Sequence, residues 1–164
     1  MNFFDLIRNG NLEAIKKQVE ADASLLSTTD DKGFTPLIMA CYNQQYDITE
    51  YLIEAGADVD AKDAAGNTAL IGVGFKGFTK IAQLLIDKGA DVNATNSNNA
   101  TALIYAAMFG KKEIAQLLLD NGAETSIEDT SVNTAHSHAK EKGFTELAAL
   151  VKWSADYALN YTQG

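Results

Sequence analysis

Few side chains in this chain could do chemistry, and their spacing limits what they can do. The two histidines, His136 and His138, stand two residues apart. On a helix such a pair points to different faces, so a His-Ser-His chelate is not expected and a surface or capping role is. Cys41 is the single cysteine and follows Met39 by two residues. It has no partner for an internal disulfide. No His or Lys neighbours it in sequence to lower its pKa, so it reads as an inert, half-buried thiol. No Cys/His cluster has zinc spacing. Gly72-x-Gly74-x-x-Gly77 matches the dinucleotide fingerprint in its letters. No strand precedes it and no βαβ unit surrounds it, so the match is a coincidence of helix and turn glycines. Asp58, Asp60 and Asp63 crowd one connector, and Glu124, Glu128 and Asp129 another. A calcium loop needs more oxygen ligands and a sharp glycine turn, so both connectors read as solvated acidic surface. No nucleophile has a base beside it. No catalytic residue, metal site or cofactor is expected.

The elements that carry these residues belong to a globular chain. Its 164 residues are 46% hydrophobic, 21% charged and 9% aromatic. At about 150 residues per domain, that length makes one domain. A single domain of this size buries about 68–70% of its unfolded surface, enough for a core. Thirteen Lys+Arg against 22 Asp+Glu give a net charge of −9. Nucleic acids and anionic lipids both need a cationic surface, so neither is expected as a partner. Met1-Asn2-Phe3-Phe4-Asp5 lacks a basic region followed by an apolar run, so no signal peptide is expected. No apolar stretch approaches the ~20 residues that span a bilayer. The expectation is a soluble protein of a reducing cytoplasm. A single proline argues against a loop-rich chain.

Self-similarity organises the rest. Gly33, Gly66 and Asn99 stand at intervals of 33, as do Thr35, Thr68, Thr101 and Thr134. Leu37, Leu70 and Leu103 share the interval, and so do Gly56, Gly89 and Gly122. Whole segments align: Gly33-Phe34-Thr35-Pro36-Leu37-Ile38, Gly66-Asn67-Thr68-Ala69-Leu70-Ile71 and Asn99-Ala100-Thr101-Ala102-Leu103-Ile104. Gly56-Ala57-Asp58-Val59-Asp60-Ala61 repeats as Gly89-Ala90-Asp91-Val92-Asn93-Ala94.

Each unit has a physical reading. Gly66 takes a positive φ without steric cost, and Asn99 tolerates one. Thr68 is placed to cap a helix, and Pro36 sits at a first helical position where its missing N–H costs nothing. That helix runs to about Lys76, and Gly77 and Gly110 close it in their units. A second helix follows, with Ile81, Leu84, Leu85 and Ile86, or Ile114, Leu117, Leu118 and Leu119, making one apolar face. Helices this short cannot bury that face alone. Stacked neighbours must, which predicts a solenoid with Leu85 and Leu118 between its layers.

The sequence resembles the ankyrin-repeat family. The period of 33, the Gly33-x-Thr35-Pro36-Leu37 opening and Gly89-Ala90-Asp91-Val92-Asn93-Ala94 carry the resemblance. It implies an all-α solenoid of antiparallel helix pairs whose connectors project as β-hairpin fingers. The chain then reads as a single domain over 1–164. An N-terminal capping half-repeat occupies 1–29, and full repeats occupy 30–62, 63–95 and 96–128. A decayed capping repeat and helix extension occupy 129–161. Gly10 to Gly33 spans 23 residues against 22 from Gly77 to Asn99, which puts one extra residue near Ala23 to Thr29. Trp153, Tyr157 and Tyr161 are expected to fold a helix over the last repeat.

Three positions depart from the family. Ile38, Ile71 and Ile104 stand where it has histidine, so apolar packing is expected in place of imidazole hydrogen bonds. Val132 stands where glycine is wanted, and its β-branched side chain fits a positive φ poorly, so the last finger is expected to be remodelled. Gly72 and Gly74 lie within a helix. Close packing explains them, or else they mark a notch or soft point, in which case Gly72→Ala would stabilise the chain.

The resemblance further implies that partners bind a concave face lined by finger tips and first helices. The matching residues are Asp31, Lys32 and Phe34, then Asn67, then Asn98 on the fingers. On the helices they are Tyr42, Phe75 and Met108, with Asn43, Lys76 and Phe109 beside them and Tyr105 one layer away. Phe75 and Tyr42 are expected to face solvent, Phe109 less so. Aromatic residues and Met at such positions fit a protein interface better than a solvated face. The implied function is a non-enzymatic protein-binding module, monomeric by itself, acting as an adaptor, an inhibitor or an antitoxin-like neutraliser. Its partner would offer a protruding apolar element and a basic rim. An effector acting in a foreign cell, or an enzyme with a pocket at Gly72, are the alternatives.

Overall fold

The structure is a computed structural model and describes residues 2–152. Among these, all regular structure is helical. In chain order the helices are α1 (Phe3–Arg8), α2 (Leu12–Ala21), a 3-10 turn (Ala23–Ser27), α3 (Pro36–Tyr42), α4 (Tyr46–Glu54), α5 (Ala69–Lys76), α6 (Thr79–Asp87), α7 (Ala102–Met108), α8 (Lys112–Asp120), α9 (Ala135–Glu141) and α10 (Thr145–Leu150). The odd-numbered helices form one row, α1 through α9, each packed on the next. The even-numbered helices α4 to α10 form a second row behind it. The segment expected to hold one extra residue, Ala23 to Thr29, contains the 3-10 turn.

The threonines at the repeat interval start α3, α5, α7 and α9. Thr35, Thr68 and Thr101 are buried, and each Oγ1 accepts a hydrogen bond at 3.2 Å from the N–H of Ile38, Ile71 and Ile104 respectively. Such a cap contributes about 1 kcal/mol. Of the even helices, α2 is capped by Asn11, whose Oδ1 accepts from the Ala14 N–H at 3.2 Å, whereas α4, α6, α8 and α10 have no side-chain cap. There the N–H of Gln45, Phe78, Lys111 or Phe144 donates back to the carbonyl of Ala40, Val73, Ala106 or Ala139, which ties each helix pair into a tight turn.

Ile38, Ile71 and Ile104 are buried, so the positions that depart from the family contribute apolar packing. Leu85 and Leu118 are fully buried, as are Ile7 and Ile15 in the N-terminal helix pair. At Gly74 a Cβ would lie 3.2 Å from the Ala102 carbonyl oxygen, so close approach of α5 to α7 accounts for that glycine. Cys41 is fully buried rather than half-buried, and its thiol lies 3.8 Å from Thr49 Oγ1. Burial pushes the thiol up to about 12, and the Thr49 contact opposes that only in part. The thiolate is therefore scarce at neutral pH.

Each connector is a turn built on one Asp or Asn, and no strand flanks it among the described residues. Asp30, Asp63, Asn96 and Asp129, again 33 apart, each accept through Oδ1 the N–H groups two and four residues on, at 2.9–3.0 Å. Two carboxylates that read as solvated acidic surface, Asp63 and Asp129, are thus partly engaged in holding backbone. Successive turns are joined: the Ser97 N–H donates to the Ala65 carbonyl at 3.1 Å and the Thr130 N–H to the Asn98 carbonyl at 2.9 Å.

Gly33, Gly66, Asn99 and Val132 have φ of 77°, 80°, 54° and 62°. The expected remodelling at Val132 does not occur. The turn keeps its hydrogen bonds, with the Val132 N–H on the Asp129 carbonyl at 2.9 Å, and valine is held in the left-handed region. The flanking bonds outweigh the strain, which costs about 1–2 kcal/mol for an L-residue.

The histidines fix the last helix pair. His138 Nε2 meets Asp129 Oδ2 at 2.6 Å, and His136 Nδ1 meets the Ala148 carbonyl at 2.7 Å. No helix among the described residues is long and apolar enough to cross a membrane. The aromatic helix expected around Trp153, Tyr157 and Tyr161 lies outside the described residues.

Candidate functional site

The C-terminal ends of α3, α5 and α7 and the turns before them share one face. Because the repeat interval is preserved, like positions fall side by side. Position 42 and its counterparts carry Tyr42, Phe75 and Met108. The next residue carries Asn43, Lys76 and Phe109. One turn earlier stand Met39, Gly72 and Tyr105.

The outermost aromatic pair is Phe75 and Phe109, 45% and 44% exposed. Their ring centroids are 4.5 Å apart at 72°, an edge-to-face contact. Phe109 is therefore as exposed as Phe75, contrary to the expectation that it would be less so. Tyr42 departs in the other direction and is half-buried. Its ring lies over Gly72, in the space that a Cβ there would need. Close packing therefore accounts for Gly72: a side chain from the preceding repeat fills the space of its missing Cβ. The Phe34 and Tyr42 rings are near-perpendicular with centroids 5.2 Å apart, and those of Tyr105 and Phe75 likewise at 6.3 Å.

Phe34, Tyr42, Phe75 and Tyr105 line a cavity of about 320 Å³ that is open to solvent on one side. Ile71 and Gly72 also line it, and Asp63, Asn67 and Lys76 supply its charged and amide groups. Asn96 Nδ2 donates to Asn67 Oδ1 at 2.9 Å and to the Tyr105 hydroxyl at 2.8 Å, which holds one wall in place. The Lys76 ammonium lies 5.5 Å from the Tyr42 ring centre and 5.7 Å from that of Phe78. Burial raises the Tyr42 phenol above its ordinary value, and the negative charge of Asp63 raises it further. The hydroxyl stays protonated and neutral at physiological pH. Among the described residues, no histidine, cysteine or serine lines this cavity.

A second depression of about 500 Å³ adjoins it, with Arg8, Asp30, Asp31, Lys32, Met39 and Asn43 around it. Its charge is mixed. Asp30 is engaged in its turn, Arg8 pairs with Asp5 at 2.9 Å, and Asp31 and Lys32 are exposed.

Of the residues singled out from sequence, the cavity gathers Phe34, Tyr42, Asn67, Phe75, Lys76 and Tyr105. The second depression adds Asp31, Lys32 and Asn43, although Asn43 Nδ2 donates to the Met39 carbonyl at 2.9 Å as a helix cap. Asn98, Met108 and Phe109 line neither. Asn98 is exposed, and its backbone joins two turns. Met108 is half-buried against the core. Asp63 was passed over as one of several acidic residues. Its membership of the series Asp30, Asp63, Asn96, Asp129 was the available signal, since a fixed place in the repeat fixes its place beside the rings. Nothing in the sequence singles out Arg8.

Residues 3–96 and 62–129 match the family model for ankyrin repeats. Among curated proteins, the chain is 39% identical over 62 residues to the 26S proteasome non-ATPase regulatory subunit 10 of Rattus norvegicus, covering 38% of this chain and 27% of that protein. It is 40% identical over 60 residues to NF-kappa-B inhibitor alpha of Gallus gallus, covering 37% and 19% respectively. It is 40% identical over 63 residues to protein phosphatase 1 regulatory subunit 27 of Homo sapiens, covering 38% and 40%. Each match spans less than half of the relative's length.

Proposed function

Since the chain belongs to the ankyrin-repeat family, we propose that it is a non-enzymatic protein-binding module whose partner docks on the face formed by the turns and the odd-numbered helices, the concave face of the family. The observation that carries this is the pair Phe75 and Phe109, nearly half exposed and adjoining an aromatic-walled cavity. An exposed aromatic cluster of this kind marks an interaction site more often than a solvated face. The names of two relatives point the same way: one is an inhibitor of NF-kappa-B and one a regulatory subunit of protein phosphatase 1. An inhibitory or regulatory role through binding is the reading these names support for this chain.

Affinity capture followed by variants tests the face. A partner held by the parent chain should be lost with Phe75→Ala combined with Phe109→Ala. It should be retained with Lys80→Ala and Gln83→Ala, whose side chains are exposed on α6. The reverse pattern would move the site to the even-numbered row and overturn the proposal.

A further inference from the structure

We propose that the open cavity lined by Phe34, Tyr42, Phe75 and Tyr105 is a socket for a lysine side chain of the partner protein, with the ammonium resting against the rings beside the Asp63 carboxylate. The inference rests on the partner docking on this face, and names what the partner must present there.

Four observations carry it. The cavity, about 320 Å³, is near the lower end of the ~300–1,000 Å³ usual for ligand pockets, and suits one side chain rather than a large cofactor. Its walls are aromatic faces and edges held by edge-to-face contacts, and a π face attracts an ammonium. An ammonium already rests against one of these rings, that of Lys76 at 5.5 Å from the Tyr42 centre. Finally, Asp63 is fixed at the wall by the N–H groups of Ala65 and Asn67, both at 2.9 Å on one carboxylate oxygen, and forms no ion pair among the described residues. Asp63 lines the cavity, and its negative charge adds to burial in raising the Tyr42 phenol.

The turn itself does not require that charge. Asn96 holds the equivalent turn of the next repeat with the same two bonds. Asp63→Asn therefore removes the charge and keeps the acceptor. Lys76 has a second consequence. An incoming cation meets its positive charge at the Tyr42 ring, so Lys76 acts as a resident competitor.

The test needs no identified partner. The folded chain is titrated by NMR with N-acetyl-lysine methylamide, its Nζ-trimethyl derivative and the uncharged N-acetyl-norleucine methylamide. Both cations are expected to shift resonances of Tyr42, Phe75 and Tyr105, and norleucine to bind about ten-fold more weakly. Asp63→Asn should weaken the lysine derivative several-fold with little change in melting temperature, while Lys76→Met should tighten it. Norleucine binding as well as lysine would overturn the proposal in favour of an apolar socket. Preference for N-acetyl-glutamate methylamide, lost with Lys76→Met, would overturn it in favour of an anion site. Choline binding more tightly than either lysine derivative would assign the cavity to a free small molecule and overturn it too. No binding by any cation would reject the lysine socket, while capture that depends on Phe75 and Phe109 would still stand.

Discussion

The ring of Tyr42 and the missing side chain of Gly72 occupy one space. These residues belong to adjacent repeats, and α3 and α5 pack together there with the phenol lying where a Cβ on α5 would otherwise sit. Met39 and Tyr105 show that side chains do occur at the equivalent positions, so it is Tyr42 that makes glycine necessary at position 72.

Gly72→Ala should therefore destabilise the chain. Gaining a better helix former is worth up to about 1 kcal/mol, but displacing a packed ring costs about 1–3 kcal/mol. The expected net loss is about 1 kcal/mol by thermal or denaturant unfolding. In a Tyr42→Ala background the same substitution should be neutral or stabilising, and this double-mutant cycle isolates the contact. Equal effects in both backgrounds would show that the ring is not what excludes the methyl group.

Val132 offers the opposite case. It is 70% exposed and held at φ 62°, so its side chain contributes little packing and adds backbone strain. Val132→Gly should raise stability by about 1 kcal/mol, the strain relieved less the greater entropy of glycine in the unfolded chain. The measurement is the denaturation midpoint. An unchanged or lower midpoint would mean that the turn relaxes when the strand-favouring residue is present.

Asp129 gives the last repeat a dependence on acid. Burial alone would raise its pKa, but hydrogen bonds from His138, Asn133 and Ser131, and the charge of His138, together lower it below the ordinary 3.8. A carboxylate lowered on folding contributes stability that is complete above its unfolded value and lost as pH falls through the folded one. The window is therefore the acid limb below 3.8. Asp129→Asn keeps the turn acceptor, as Asn96 does, and should flatten stability against pH in that limb. A limb of the parent's steepness would mean that other carboxylates govern it.

Cys41 should resist alkylation in the native state. With its pKa near 12 and its side chain buried, reaction requires the chain to open. At about pH 8, modification by iodoacetamide should become faster as denaturant is added and should be slow without it. Rapid stoichiometric labelling in native buffer would show that α3 opens locally.

With a captured partner in hand, Phe75→Ala should mainly raise the dissociation rate and leave the salt dependence nearly unchanged, because it removes buried apolar contact. Asp31→Asn should mainly slow association, with a loss that shrinks at high salt, because an exposed charge acts by steering. Binding kinetics at two salt concentrations separate the two. Asp31→Asn acting on dissociation at all salt concentrations would mean that this carboxylate makes a direct buried contact.

The repeat register was legible along the chain because each repeat meets the same needs with the same residues. Thr35, Thr68 and Thr101 cap helices, and Leu37, Leu70 and Leu103 fill one core layer. Those roles depend on local backbone and on stacking of near-identical units, so spacing alone reveals them. The Asp30, Asp63, Asn96 and Asp129 series was equally present in the sequence, but its role in the turns emerged only with their hydrogen bonds. What tertiary structure decided is which surface residues are covered. Burial at any position depends on the neighbour one repeat away. Tyr42 is half-buried because position 72 has no side chain, whereas Phe75 and Phe109 remain exposed against each other. The cavity belongs to this second kind of information. It exists because Phe34, Asp63, Phe75 and Tyr105, separated by up to 71 residues along the chain, are brought to one face by stacking.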